Sequence, residues 1–176
     1  MGAFPELFSQ IAESQQLDSN LFSRTNVGIF GSFAKKRKIR LNKIKSFLLN
    51  HKFNARISSD FERDNPRKPN EDMDLYNGRM SDLLLSWSNI HIFIFVFELD
   101  EEHNINSSAY REITSLESKP VLAIFEDGSL DQQKSMFRRD MKKLKWTVHN
   151  SSDFDKINDI CLTYCINRVM GMRYQL

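Results

Sequence analysis

Apolar residues recur along this chain with two different periods, and the change falls at Asn26. Before it, Phe4, Leu7, Phe8 and Ile11 share one helical face, and Pro5 suits a first helical turn. Residues 1–25 are therefore read as an amphipathic extension that either caps the core or pairs with another subunit. From Asn26 onward short apolar runs alternate with helical stretches. Residues 27–33 form an apolar strand ending in small residues, and 37–51 a helix with Ile39, Leu41, Ile44, Phe47, Leu48 and Leu49 mostly inward. A second short strand follows at 53–57. The polar stretch 58–70 holds Pro66 and Pro69, which break regular structure and suit a flap over a pocket. A helix is predicted over 72–88, then a strand over 90–97 that is apolar on both faces, as a central strand of a parallel sheet must be. A helix at 107–118, a strand at 120–125, a helix at 130–144, a short strand at 145–148 and a helix at 153–170 complete the series.

Such alternation implies right-handed crossovers and a parallel sheet with helices on both faces. The most apolar strands, the first, third and fourth, belong at the centre, which predicts a doubly wound, flavodoxin-like α/β domain over residues 26–176 with strand order 2-1-3-4-5. In that order the chain reverses direction between the first and third strands. The crevice left at their carboxyl ends is where such sheets bind ligands. Gly31, Ser32 and Phe33 at the end of the first strand, Glu98 after the third, and the segment 100–112 face it.

Composition narrows the partners. With 40% apolar residues, 14 of them Phe, a chain of 176 residues has enough material for one sizeable core. The 25 basic and 23 acidic residues nearly cancel, so no global field recruits nucleic acid or an anionic membrane. No apolar run approaches the roughly 20 residues of a membrane-spanning helix, and the start of the chain lacks the features of a secretory signal. The protein is read as cytoplasmic. Cys161 and Cys165, four apart in a helical pattern, match no zinc or redox spacing and are read as buried apolar residues.

Gly28 and Gly31-Ser32 fall short of a dinucleotide fingerprint or a phosphate loop. A turn of small residues there either admits a phosphate or ribose to backbone N–H groups or simply meets tight geometry. The run Lys35-Lys36-Arg37-Lys38-Ile39-Arg40 either attracts a phosphorylated ligand or is a solvated face. Asp60, Glu62 and Asp64 read as loop charges rather than a Mg²⁺ site, Asp100-Glu101-Glu102-His103 lacks zinc-ligand spacing, and no Ser-His-Asp set can be assembled from His51, His91, His103 and His149. No metal or cofactor is expected. The most informative segment is Asn106-Ser107-Ser108-Ala109-Tyr110-Arg111-Glu112-Ile113, polar residues leading into a helix, with Glu112 on its first or second turn. A carboxylate there either points across the crevice, as nucleophile or oxocarbenium stabiliser in glycosidic cleavage, or stabilises the helix dipole.

This segment, followed by Lys119-Pro120-Val121-Leu122, resembles the nucleoside 2-deoxyribosyltransferase family, which has Asp, Gly and Glu in a similar run before a "GKPV" strand. It is also similar to TIR domains, in which a catalytic Glu follows a polar loop. The resemblance covers roughly residues 26–126. Asn106 and Ser108 stand where the transferases usually carry Asp and Gly, and Ser108 also stands where TIR domains commonly carry an aromatic. Both families imply attack at the anomeric carbon of a nucleoside or nucleotide, with Glu112 as the catalytic carboxylate and no metal. Ser32, Asp82, Asn106, Ser108 and Tyr110 join Gly31, Phe33 and Glu98 as the substrate-binding set that this resemblance and the crevice imply. NAD would enter as substrate rather than cofactor. The alternative is a non-catalytic, TIR-like module that senses a nucleotide or self-associates, with the amino-terminal helix as its assembly surface.

Overall fold

The computed structural model describes residues 21–31, 35–95, 107–125, 146–151 and 153–173. After a helical turn at residues 21–24, the elements run β1 (Asn26–Gly31), α1 (Lys35–Asn50), β2 (Asn54–Arg56), a 3₁₀ turn (Ser58–Phe61), α2 (Met73–Trp87), β3 (Ile90–Phe95), α3 (Ser107–Leu116), β4 (Val121–Phe125), β5 (Trp146–Asn150) and α4 (Phe154–Arg173). The five strands form one parallel sheet in the order β2-β1-β3-β4-β5. This is the doubly wound topology predicted above. Most of the amino-terminal extension and the helix predicted at 130–144 lie outside the described residues.

Strand alternation sorts the core into two layers. Val27, Ile29, Ile90, Ile92, Ile94, Leu122 and Ile124 face α1 and α4, meeting Leu41, Ile44 and Leu48 from the first helix and Ile157, Cys161, Cys165 and Val169 from the last. Both cysteines are free and buried, spaced so that each falls on the inner stripe of α4. Phe30, Phe93, Val121, Ala123 and Phe125 lie in the opposite layer with Leu84 of α2 and Ile113 and Leu116 of α3. Burial on both faces explains why β1, β3 and β4 read as continuous apolar runs rather than alternating ones.

Two glycines allow close approach. A Cβ on Gly28 would lie 2.0 Å from Ser88 Oγ, so this position lets the end of α2 settle against β1. Gly31 has φ of +155°, and a Cβ there would lie 2.9 Å from the Ile94 carbonyl oxygen, a backbone atom of the neighbouring strand. That contact accounts for the small residue at the end of β1 through tight geometry alone.

The stretch 58–70 is irregular beyond residue 61, as expected, but its first four residues are not. Ser58–Phe61 winds into a 3₁₀ turn because Asp60 accepts a 2.8 Å hydrogen bond from the Ile57 N–H and a 2.6 Å one from Lys45 Nζ. Further on, Arg79 donates to Glu71 and to the Pro66 carbonyl, tying the loop to α2. Prolines excluded a long helix here, but side chains that bond to nearby backbone restored local order.

Candidate functional site

Glu112 lies in the second turn of α3, on the helix face it shares with Ile113 and Leu116. That face is turned toward the sheet and α2, so the carboxylate follows its apolar neighbours inward and only 9% of the residue remains exposed. Among the described residues it is the sole buried acidic side chain. An isolated carboxylate in such a place would be costly to ionise. Here Ser81 of α2 donates a 2.5 Å hydrogen bond from its Oγ to Glu112 Oε1. Burial pushes the Glu112 carboxyl up to about 7, and the bond from Ser81 opposes that rise.

The group is therefore poised between its acid and its base near neutral pH. It is the sixth of the ten residues of α3, on the side of the sheet that bears Phe30 and Phe93. For the alternative reading, an acidic residue stabilising its helix dipole, Glu112 stands one turn in rather than in the first turn of α3.

The other predicted residues divide into four groups. Gly31 ends β1, next to Ile94 of β3, where the crevice was expected. Ser108 and Tyr110 lie in α3 one turn and two residues ahead of Glu112. Asp82 is exposed on α2, and Ser81, one residue earlier, is the α2 side chain that reaches Glu112. Ser32, Phe33, Glu98 and Asn106, with the rest of the segment leading into α3, lie outside the described residues.

Sequence reasoning missed Ser81. Its only signal is that it stands three residues before buried Leu84, on the inward side of α2. Nothing local says that this side meets α3. His91, which joins no Ser-His-Asp set, is buried as well. It is 5% exposed in β3, near the Phe30 ring, and neither ring nitrogen has a hydrogen-bond partner. Burial first, and then the charge of Lys119, hold its pKa down to about 4, against a weaker opposing influence of the Pro120 backbone. Its pairing with Gly28 puts it near the amino ends of the strands, away from the crevice.

Asp60, from the acidic loop, is engaged by Lys45 and the Ile57 N–H. Among the described residues no three His, Cys, Asp or Glu side chains converge as metal ligands. None of the described helices is long and apolar enough to cross a membrane. An open groove of about 630 Å³ between α1 and α4 is lined by Ile39, Asn42, Phe47 and Asn158, but it lies on the opposite layer of the sheet from Glu112. No protein-family model and no curated protein matches the chain, so the functional reading rests on the Glu112–Ser81 pair.

Proposed function

We propose that this chain cleaves or transfers the N-glycosidic bond of a nucleotide or nucleoside, with Glu112 as the carboxylate that meets the developing ribosyl cation. The observation that carries this reading is the burial of Glu112 over a doubly wound sheet, with one oxygen held by Ser81. A carboxylate in a low-dielectric setting interacts strongly with positive charge on a sugar ring, because little water screens it. The resemblance of the segment 106–122 to nucleoside 2-deoxyribosyltransferases and TIR domains supports the same chemistry.

In the reaction the bond from the anomeric carbon to the base nitrogen breaks and its electron pair leaves with the base. Glu112 stabilises the resulting cation or bonds to the anomeric carbon. Water, or a second base, then supplies the new bond and releases its proton. A pyridinium-type base such as that of NAD leaves as a neutral molecule without needing a proton, which suits a site whose carboxyl must act ionised. The basic run at the start of α1 favours a phosphorylated substrate over a plain deoxynucleoside.

The second reading, a nucleotide-sensing or self-associating module without turnover, is favoured by the depth of Glu112, because a carboxylate shared between two helices also serves as a packing pair. Incubation with NAD, and separately with a deoxynucleoside plus a free base, followed by chromatography, distinguishes the two. Released nicotinamide or exchanged base that disappears in a folded Glu112→Gln variant supports the enzyme. Calorimetric binding of NAD with no product, in dilute and in assembled protein, supports the sensor.

A further inference from the structure

Ser81 belongs to none of the motifs that suggested glycosidic chemistry, yet it is the side chain that touches the proposed catalytic group. It stands on α2, whereas Glu112 stands on α3, so the bond spans two helices packed side by side over one face of the sheet. Its donor is a hydroxyl on a short side chain with a single rotatable carbon–carbon bond, so little freedom is lost in holding it. A carboxylate has two oxygens and about four acceptor positions, and the hydroxyl occupies one of those on Oε1. Oε2 keeps its acceptor positions for another partner.

We propose that Ser81 is the positioning residue of this site: its hydroxyl fixes the Glu112 carboxylate by Oε1 and favours its ionised form, so that Oε2 is the oxygen presented to the sugar. This rests on the function proposed above for what Oε2 meets, but the hold on Glu112 is independent of it. Two consequences follow from the chemistry. A hydroxyl can donate to a carboxylate, whereas removing it leaves an ionised group buried without that donor and shifts the balance toward the protonated acid. Threonine carries the same hydroxyl and alanine does not, so Ser81→Thr retains the effect and Ser81→Ala loses it. Positioning of this kind also acts on turnover more than on substrate affinity, because the oriented oxygen is needed in the transition state.

The test follows the Glu112 carboxyl carbon by ¹³C NMR across pH in the full chain, for wild type, Ser81→Ala and Ser81→Thr, with Glu112→Gln to assign the signal. The expected result is a titration midpoint raised by about one pH unit in Ser81→Ala and within about 0.3 unit of wild type in Ser81→Thr. An unchanged midpoint in a folded Ser81→Ala variant overturns the proposal, since a bond that served only packing would lower thermal stability and leave the titration where it was. If Ser81→Ala does not fold, Ser81→Cys takes its place: a weaker donor of similar size must move the midpoint upward by a smaller amount, and no movement overturns the proposal. Nicotinamide release from NAD is measured on the same samples. A raised midpoint with no turnover in any sample upholds the hold of Ser81 on Glu112 while removing the glycosidic reading. A raised midpoint together with a fall in kcat of about 10-fold or more at pH 7, and little change in KM, upholds both.

Discussion

His91 and Glu112 are two buried ionisable groups on the same face of the sheet, and the fold treats them in opposite ways. His91 lies toward the amino ends of the strands, has no hydrogen-bond partner, and is held neutral by burial. Glu112 lies on α3, has a partner reaching from a second helix, and sits near the midpoint of its titration at neutral pH. The difference separates two uses of burial. At His91 it suppresses charge, as core packing requires, whereas at Glu112 it is set against a hydrogen bond, which leaves the group able to gain or lose a proton under working conditions.

The largest expected effect breaks the comparison at the level of chemistry. Glu112→Gln lowers nicotinamide release from NAD by at least about 100-fold, while His91→Leu leaves it unchanged, both read by chromatography on protein shown to be folded by circular dichroism. Loss of activity in both variants would mean that the two buried groups are not functionally distinct.

Next comes stability against pH, in which the two groups work in opposite directions. The native pKa of His91 lies below its unfolded value of 6.5, so its contribution is fully present above pH 6.5 and is lost as pH falls toward about 4. The native pKa of Glu112 lies above its unfolded value of 4.5, so its contribution is fully present below pH 4.5 and is lost as pH rises through about 7. Each amounts to about 3 kcal/mol at most over its window. Between pH 4.5 and 6.5 they oppose each other, and the wild-type contribution from this pair stays nearly flat. Urea unfolding of His91→Leu therefore shows stability rising as pH falls from 7 to 4.5, and Glu112→Gln shows it falling over 6.5 to 4.5. Parallel slopes in the two variants would contradict the assignment.

Backbone geometry at the edge of the crevice gives a smaller effect. Gly31→Ala destabilises the fold by about 1–3 kcal/mol in the same urea assay, because the added Cβ meets the Ile94 carbonyl oxygen and the φ of +155° disfavours a side chain. A neutral result would show that β1 and β3 can move apart there. Smallest is Lys45→Ala, which removes a partly exposed ion pair with Asp60 and changes stability by less than about 1 kcal/mol, leaving the pH profiles of the two buried groups untouched.

What could be read from the chain before its structure follows from how local each feature is. The strands were legible because β1, β3 and β4 are buried on both faces, so residues 27–30, 90–94 and 121–125 are almost wholly apolar, with His91 the exception, and their alternation with helices implied the topology. The ends of α2 were legible as well, since Asp72 caps it through the Asp74 N–H and Ser88 bonds back to the Leu84 carbonyl. The 3₁₀ turn was not, because it depends on Asp60 bonding locally and to Lys45 rather than on any period. Within the site, Glu112 was legible from its place in a polar segment entering a helix. Ser81 was not, because its role exists only once α2 and α3 lie side by side, a tertiary relation that no spacing along the chain encodes.

The central claim is that Glu112 must be ionised to act on a sugar. It is tested most directly by the rate of nicotinamide release from NAD between pH 5 and 9. The account predicts a rate that climbs through a midpoint near 7 in the wild type and is absent at every pH in Glu112→Gln. A rate that Glu112→Gln retains, or one that falls as the carboxyl ionises, would contradict it.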